Sequence, residues 1–503
     1  MRIDRTTDLS AALTDVHALG PALLFLLAAT SHNNALLVIG LAWAFCESMV
    51  RLLDGLVFRL NRFSFVGMVG AATSATFLGG ALPIQIEVVL YGAAITPPAD
   101  AQYVFNTDAS LTASVALYLT AFRYVSGILA CWDRPRWQRA LGSLWAELAH
   151  PRTLSLAFAP AILLAITLVF AGLLISGWIA VNATYVVTDG SAETPIWLSL
   201  LFTALPTLAM LAVVIGTSRR NSIIVQAGAL CSLVTALTFA FAFGRRTFLF
   251  TLLLALATWF WLHPRAVKPR MILMAAVCGI PMLLAVSIGF QAARLAQGDL
   301  ADVMEQPSIL DIVSSEAFLL RMPMTAADGW SDFVARAYSI SFFVDIFERF
   351  TPEHVTMGQL FALSGPLRTI PSLLWPDKLH ILADYAAPEH PVQRLLMLYE
   401  TDQAMPIAII GYVDWWLFGA LISPLIVLAI SFAFVTMASS SRHVVAKLAA
   451  VASAIIMAWN AEFEFAAAFV YLRFALLIYF VCAILGAMFV KRSAAPHMRE
   501  RLR

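Results

Sequence analysis

Long apolar runs separated by short polar ones set the pattern of this chain. A helix crossing the hydrocarbon core of a bilayer takes about 17–25 predominantly apolar residues. Runs of that kind lie near 12–30, 34–52, 64–84, 110–131, 154–180, 195–216, 222–243, 247–262, 271–290, 406–436, 448–470 and 473–490. The pattern predicts about twelve transmembrane helices. Only Ser31-His32-Asn33-Asn34 separates the first two. The stretch 84–98, ending in Pro97-Pro98, reads either as an interfacial helix or as the outer end of the third span. The opening MRIDRTTDLS is polar, and no small-residue cleavage site follows it, so it does not read as a cleavable signal.

One interval breaks the rhythm. Residues 291–405 are too polar to span, yet rich in aromatic residues and Leu, so an ordered loop is expected there. Within it Phe333, Val334, Ala337, Ile340, Phe343, Val344 and Phe347 recur at helical spacing, which predicts an amphipathic helix over 329–350. Asp332 with Arg336, and Asp345 with Arg349, are i,i+4 pairs on that helix. Pro371 and Pro376 prevent a regular helix over 369–378, where Trp375 reads as an interfacial anchor or as the wall of a site.

The expected fold class is therefore an all-α polytopic integral membrane protein of about twelve transmembrane helices with one long, partly helical extracytoplasmic loop. It divides into N-terminal helices (1–240), two helices entered through a Gly-Arg-Arg turn (241–290), the large loop (291–405), C-terminal helices (406–490) and a basic tail (491–503). Lys and Arg fix the orientation. With the N-terminus inside, every inner loop collects basic residues, among them Arg51, Arg59 and Arg62, then Arg134, Arg136 and Arg139, then Arg219 and Arg220. Both termini are then cytoplasmic and the long loop is outside.

Composition removes several function classes. Of 503 residues, 61% are hydrophobic and 13% charged, against about half and about a quarter in an ordinary soluble domain. The net charge of +1 supplies no basic field for nucleic acid. Cys46, Cys131, Cys231, Cys278 and Cys482 are dispersed, with no CxxC or zinc spacing. His354, His380 and His390 are spaced too loosely for a metal site, and no HExxH, GxSxG or Gly-rich phosphate loop stands in a suitable context.

Candidate chemistry lies on the outer side. Its basic residues are Arg245, Arg246, Arg294, Arg321, Arg336, Arg349, Arg368, Lys378, Arg394 and Arg473. Guanidinium groups fork onto two oxygens at once, which suits phosphate and diphosphate. Arg245 and Arg246 sit at a span end, at headgroup depth. Glu462 and Glu464 lie in the outer half of the eleventh span and need partners there. Two residues apart on a helix, they are about 200° apart and cannot share a face. One is expected to pair with Arg while the other faces a cavity; a purely structural ion-pair role is the competing reading. Arg123 lies inside the fourth span.

The region from about 240 to 475 resembles bacterial oligosaccharide-repeat-unit polymerases of the Wzy type. Gly244-Arg245-Arg246-Thr247 resembles the G-x-R-[ST] turn of that family. The Arg336–Gly358 segment precedes 369–378, which is similar to the family's I/L-P-R-x-L-W-P-x-K-P. The stretch from Gly411 to Gly419, with Asp414, resembles its E-x-Y-x-N-F-G segment. Ser372 stands where Arg is common, with Arg368 four residues earlier as its substitute, and Leu379 stands where Pro is common. The first 240 residues match in hydropathy alone, and the first outer loop lacks the acidic pair of GT-C glycosyltransferases.

The resemblance implies a metal-independent, cofactor-free glycosyltransferase of the bacterial inner membrane. It would join glycan repeat units, donor and acceptor both carried on undecaprenyl diphosphate, into O-antigen or exopolysaccharide at the outer leaflet. A flippase and a chain-length regulator are the further partners it implies. Arg245, Arg246 and Arg336, with Glu462 and Glu464, are then the expected catalytic set; Arg473, Arg368, Lys378, Arg349, Trp375 and Asp414 are the expected substrate contacts. An O-antigen-ligase-like transferase fits the same motifs. A transporter or flippase for an anionic substrate would instead line the mid-membrane with charged residues, of which Arg123 is the clear basic case.

Overall fold

The computed structural model describes residues 16–55, 63–95, 105–149, 167–169, 172, 196–217, 223–243, 245–263, 285, 288–293, 295–300, 309–323, 325, 338–370, 375–382, 389–398, 405–441, 443–460, 469 and 471–484. Every regular element among them is a helix, as lipid requires of a chain that must satisfy its backbone polar groups within each segment. In chain order the principal ones begin with α1 (Val16–Ser31), α2 (Asn34–Leu53), α3 (Phe65–Tyr91) and α4 (Ala109–Ala149). Next come α5 (Ile196–Thr217), α6 (Ile223–Phe243), α7 (Arg245–Leu262), α8 (Tyr338–Arg349) and α9 (Gln359–Ser364). The chain closes with α10 (Ile407–Trp415), α11 (Gly419–Ser440), α12 (Val444–Asn460) and α13 (Tyr471–Ile484).

Among the described residues, five stretches are long and apolar enough to cross a membrane: Asn34–Leu52, Phe65–Tyr91, Ala109–Glu147, Ile223–Phe241 and Ile407–Ser440. Five shorter apolar helices accompany them. Large apolar side chains point outward along α1 (Leu19, Leu23, Leu26), α6 (Ile223, Leu230, Val234) and α13 (Phe480, Ile484), where water would penalise them and lipid does not. The chain is a helical membrane protein. The spans expected near 154–180 and 271–290 fall largely outside the described residues, and the basic tail 491–503 wholly so.

Two compact units divide the chain. The first gathers Met1–Ala140, Trp330–Thr436 and Ala454–Arg473; the second gathers Leu141–Gly329, Met437–Ser453 and Phe474–Arg503.

In the first unit α2 packs against both α1 and α3. Asn33 caps α2 by accepting from the Ala35 and Leu36 amides, and Ser64 caps α3 by accepting from the Gly67 amide. A buried carboxylate reinforces the second cap. Asp133 of α4 accepts from Ser64 Oγ at 2.8 Å, from the Val66 amide at 3.2 Å and from Ser431 Oγ of α11, while Trp137 Nε1 donates to Ser431 Oγ at 2.9 Å. Three helices thereby meet on one acid that is fully buried and multiply hydrogen-bonded, the arrangement that a buried charge demands.

One open reading is decided and two expectations change. Residues 84–91 belong to α3, which ends where Gly92 takes φ 78° and its amide reaches back to Val88 O. The fourth span does not stop near 131: α4 continues to Ala149, so Arg134, Arg136 and Arg139 ride on a helix and not in a loop. Long basic side chains extend their charge to the polar layer while their stems cover apolar surface, so a helix can carry them past the lipid. Arg136 spreads over the Phe432 ring, 4.3 Å from its centroid.

The second change concerns 406–436, which is not one helix. Trp416 takes φ 51° and ψ −137°, and a 3₁₀ turn over Trp416–Phe418 reverses the chain between α10 and α11. A Cβ added at Gly419 would overlap the Gly411 carbonyl, and one added at Gly411 would overlap Ser423 Oγ. On a continuous helix residues eight apart stand about 12 Å apart. α10 and α11 are therefore an antiparallel hairpin closed through two glycines.

In the second unit α5, α6 and α7 pack together around Ala209, Val213 and Ala255, with Leu233, Trp259 and Leu262 against them. Lys447, buried on α12, donates to Ser143 Oγ at 3.1 Å and pairs with Glu147. Arg321 makes a two-pronged contact to Asp299, Nε to Oδ2 at 3.1 Å and one terminal nitrogen to Oδ1 at 3.0 Å.

Candidate functional site

α8 is amphipathic as its spacing predicts, and its apolar face decides where the long loop docks. Ile340, Phe343, Val344 and Ile346 are buried against the first unit, with α8 packed on α3. Around Tyr412 of α10 the rings converge: Phe347 stacks at 4.9 Å and 19°, and Tyr118, Phe350 and Phe343 lie at 5.3, 5.6 and 5.8 Å. Edge-to-face and offset geometries of this kind add to the burial itself. Tyr118 donates to the Ala408 carbonyl at 3.0 Å, tying α4 to the start of α10.

The i,i+4 partners of α8 reach other groups. Asp345 accepts from Asn106 Nδ2 at 3.0 Å, and Arg349, exposed, donates to the Leu396 carbonyl at 3.4 Å. His354 accepts from the Thr351 amide at 3.2 Å, closing the turn that follows α8.

Asp414 fixes the rest. It is fully buried, and its carboxylate accepts from Thr356 Oγ1, from the Leu360 amide at 3.1 Å and from the Phe361 amide at 2.8 Å. Those amides open α9, so Asp414 caps that helix from a distance of more than fifty residues in sequence. The favour is returned: the Met357 amide donates to Asp414 O at 3.0 Å and the Thr356 amide to Val413 O at 3.3 Å, satisfying carbonyls at the end of α10. Gly358, at φ 88°, permits the turn, and a Cβ there would press on the Trp415 ring at 3.2 Å. Both acid oxygens are thus engaged by protein, which gives Asp414 a positioning role.

The remaining expected site residues are placed less completely. Arg245 and Arg246 form the first turn of α7, at the helix N-terminus, and their side chains lie outside the described residues. Arg336, Glu462 and Glu464 lie outside them altogether. Arg368 falls in the 3₁₀ turn Pro366–Thr369 and Lys378 begins the one-turn helix Lys378–Ile381, again without described side chains. Trp375 is half-buried, and so is Arg473 in the first turn of α13.

Sequence reasoning missed one charged cluster. Glu47 of α2 pairs with both Arg51, one turn on, and Arg123 of α4. The Arg123 side chain is 4% exposed and that of Glu47 9%. An acid and a base on two different spans were the available signal, because ionised groups inside a membrane require partners.

Comparison with protein-family models, with curated proteins and with solved structures finds no match for this chain.

Proposed function

We propose that this protein polymerises undecaprenyl-diphosphate-linked oligosaccharide repeat units at the outer leaflet of a bacterial inner membrane, through about twelve spans with both termini cytoplasmic. One observation carries the reading. Two of the segments that resemble repeat-unit polymerases, 336–358 and 411–419, are separated by tens of residues, yet their described parts meet within the first unit, α8 and the 356–361 turn closing on Tyr412 and Asp414. A loop serving only as a connection has no need of a buried acid and four aromatic rings to hold it.

The chemistry is a glycosyl transfer. A sugar hydroxyl of the acceptor bonds to the anomeric carbon of the donor while the bond from that carbon to the diphosphate oxygen breaks, and the hydroxyl proton is lost. Undecaprenyl diphosphate leaves with the electron pair. Arg245 and Arg246, at the N-terminus of α7, neutralise the charge that grows on it. Arg336 is proposed to act with them in catalysis, and Arg473, Arg368, Lys378, Arg349 and Trp375 to contact substrate. Glu462 and Glu464 orient guanidinium groups; a strong base is unnecessary when the leaving group is this good.

Arg245→Ala is expected to abolish polymer while membrane levels of the protein stay normal, read on glycan gels beside immunoblots. Polymer of full length in that variant would refute the reading. Transport of an anionic substrate is the second reading, favoured by the Glu47–Arg123 pair inside the helices. It requires release of intact substrate into sealed vesicles, with no new glycosidic bond.

A further inference from the structure

The Glu47–Arg123 pair closes one end of a cavity of about 690 Å³ between α2, α3 and α4. Its charged wall is Glu47, Arg51, Asp54, Arg123 and Arg134, three cations against two anions, so the described lining carries one positive charge in excess. Glu47 already pairs with Arg51 and Arg123. The Arg134 guanidinium acts on Arg51 with like charge, and its buried Nε has no hydrogen-bond partner among the described residues. A buried donor left in this state is costly unless a ligand accepts from it.

The open side has a different character. Trp43 and Val50 of α2 line the cavity and are 38% and 65% exposed, and Cys46 beside them is exposed. An apolar, outward-facing approach leading to a cationic recess is the shape of an amphiphile with an anionic head. Along α4, Arg134 lies sixteen residues beyond Tyr118, about 24 Å at 1.5 Å per residue, which separates the recess from the docked loop.

We propose that this cavity binds an anionic phospholipid, whose headgroup adds no cation to its phosphate, the phosphate bridging Arg51 and Arg134 and the acyl chains lying over Trp43 and Val50. Guanidinium forks suit a phosphodiester, and the phosphate removes the repulsion between the two cations. The orientation read from Lys and Arg makes this an inner-leaflet site. The inference needs only the membrane setting and stands apart from the glycan reading.

The test uses the full-length protein in detergent micelles. Phosphatidylglycerol is added to one sample, phosphatidylcholine to a second and glycerol phosphate to a third, and labelling of Cys46 by N-ethylmaleimide is timed against Cys231, which lies outside the cavity. Phosphatidylglycerol is expected to slow Cys46 labelling at least 5-fold (about 1 kcal/mol of protection) and to leave Cys231 unchanged; the other two additives leave both unchanged. Equal protection by glycerol phosphate would overturn the lipid assignment, because a free phosphate then suffices. Equal protection by phosphatidylcholine would overturn the role of the anionic head. In parallel, native mass spectrometry is expected to find phosphatidylglycerol retained on the wild type and on Arg139→Gln, whose side chain lies outside the cavity, with retention reduced about 10-fold on Arg134→Gln. Undiminished retention on Arg134→Gln would overturn the site.

Discussion

Glu47→Ala is expected to destabilise the protein by about 3–5 kcal/mol, because it removes the carboxylate paired with the Arg123 guanidinium at a nearly sealed position. The Coulomb attraction of a buried pair largely repays desolvation, so losing the pair whole costs far less than losing half of it. The double variant Glu47→Leu, Arg123→Leu should therefore regain most of the loss. Thermal unfolding of the purified protein, with the two single variants and the double in one cycle, reads the coupling directly. Single and double variants equally destabilised would show that the pair does not act as a unit. The same double variant separates the two functional readings: polymer formation that survives it leaves transport through the pair without its charged machinery.

Asp414→Ala is the second large effect. It removes the acceptor of the Leu360 and Phe361 amides and of Thr356 Oγ1 in a place where water does not replace it. Each stranded donor costs about 1–3 kcal/mol, so the turn at 356–361 should come off the end of α10 while the transmembrane helices persist. Hydrogen exchange at Leu360 and Phe361 is expected to quicken at least about 100-fold, with Asp414→Asn intermediate because its amide oxygen still accepts. Exchange unchanged in Asp414→Ala would contradict the capping role. On the proposed function, glycan polymer should shorten or vanish with the docking lost.

Hydropathy exposed most of the helices because each helical span must be apolar along its whole length, and the ends of α2, α5, α6 and α7 fall within about two residues of the expected runs. It misplaced what hydropathy does not encode. Arg134, Arg136 and Arg139 read as a loop, since the pattern cannot distinguish a helix that has left the lipid from a chain that has stopped being helical; α4 in fact continues. The hairpin at α10 and α11 did leave a trace. The run 406–436 exceeds what one span requires, and two glycines eight residues apart, Gly411 and Gly419, are what a close backbone crossing needs.

The candidate site was legible unevenly for a related reason. Helical periodicity located α8 and its buried face. Pairing across distant segments is invisible to periodicity. Asp414 was expected to face substrate, and only the fold shows its oxygens turned to the amides of α9. Glu47 was absent from the sequence-based set because, four residues before Arg51, it resembles an ordinary span-end pair; Arg123, seventy-two residues on from Arg51, is what makes it a buried cluster.

Polymerisation by the isolated protein is the most direct measurement. Purified wild-type protein, reconstituted in liposomes, is supplied with undecaprenyl-diphosphate-linked repeat units and no other enzyme, and the products are separated by size. A ladder rising by one repeat unit per rung, with undecaprenyl diphosphate released in proportion to the bonds formed, is the result expected of a repeat-unit polymerase. Substrate that stays monomeric, or that moves across the bilayer intact, would contradict it.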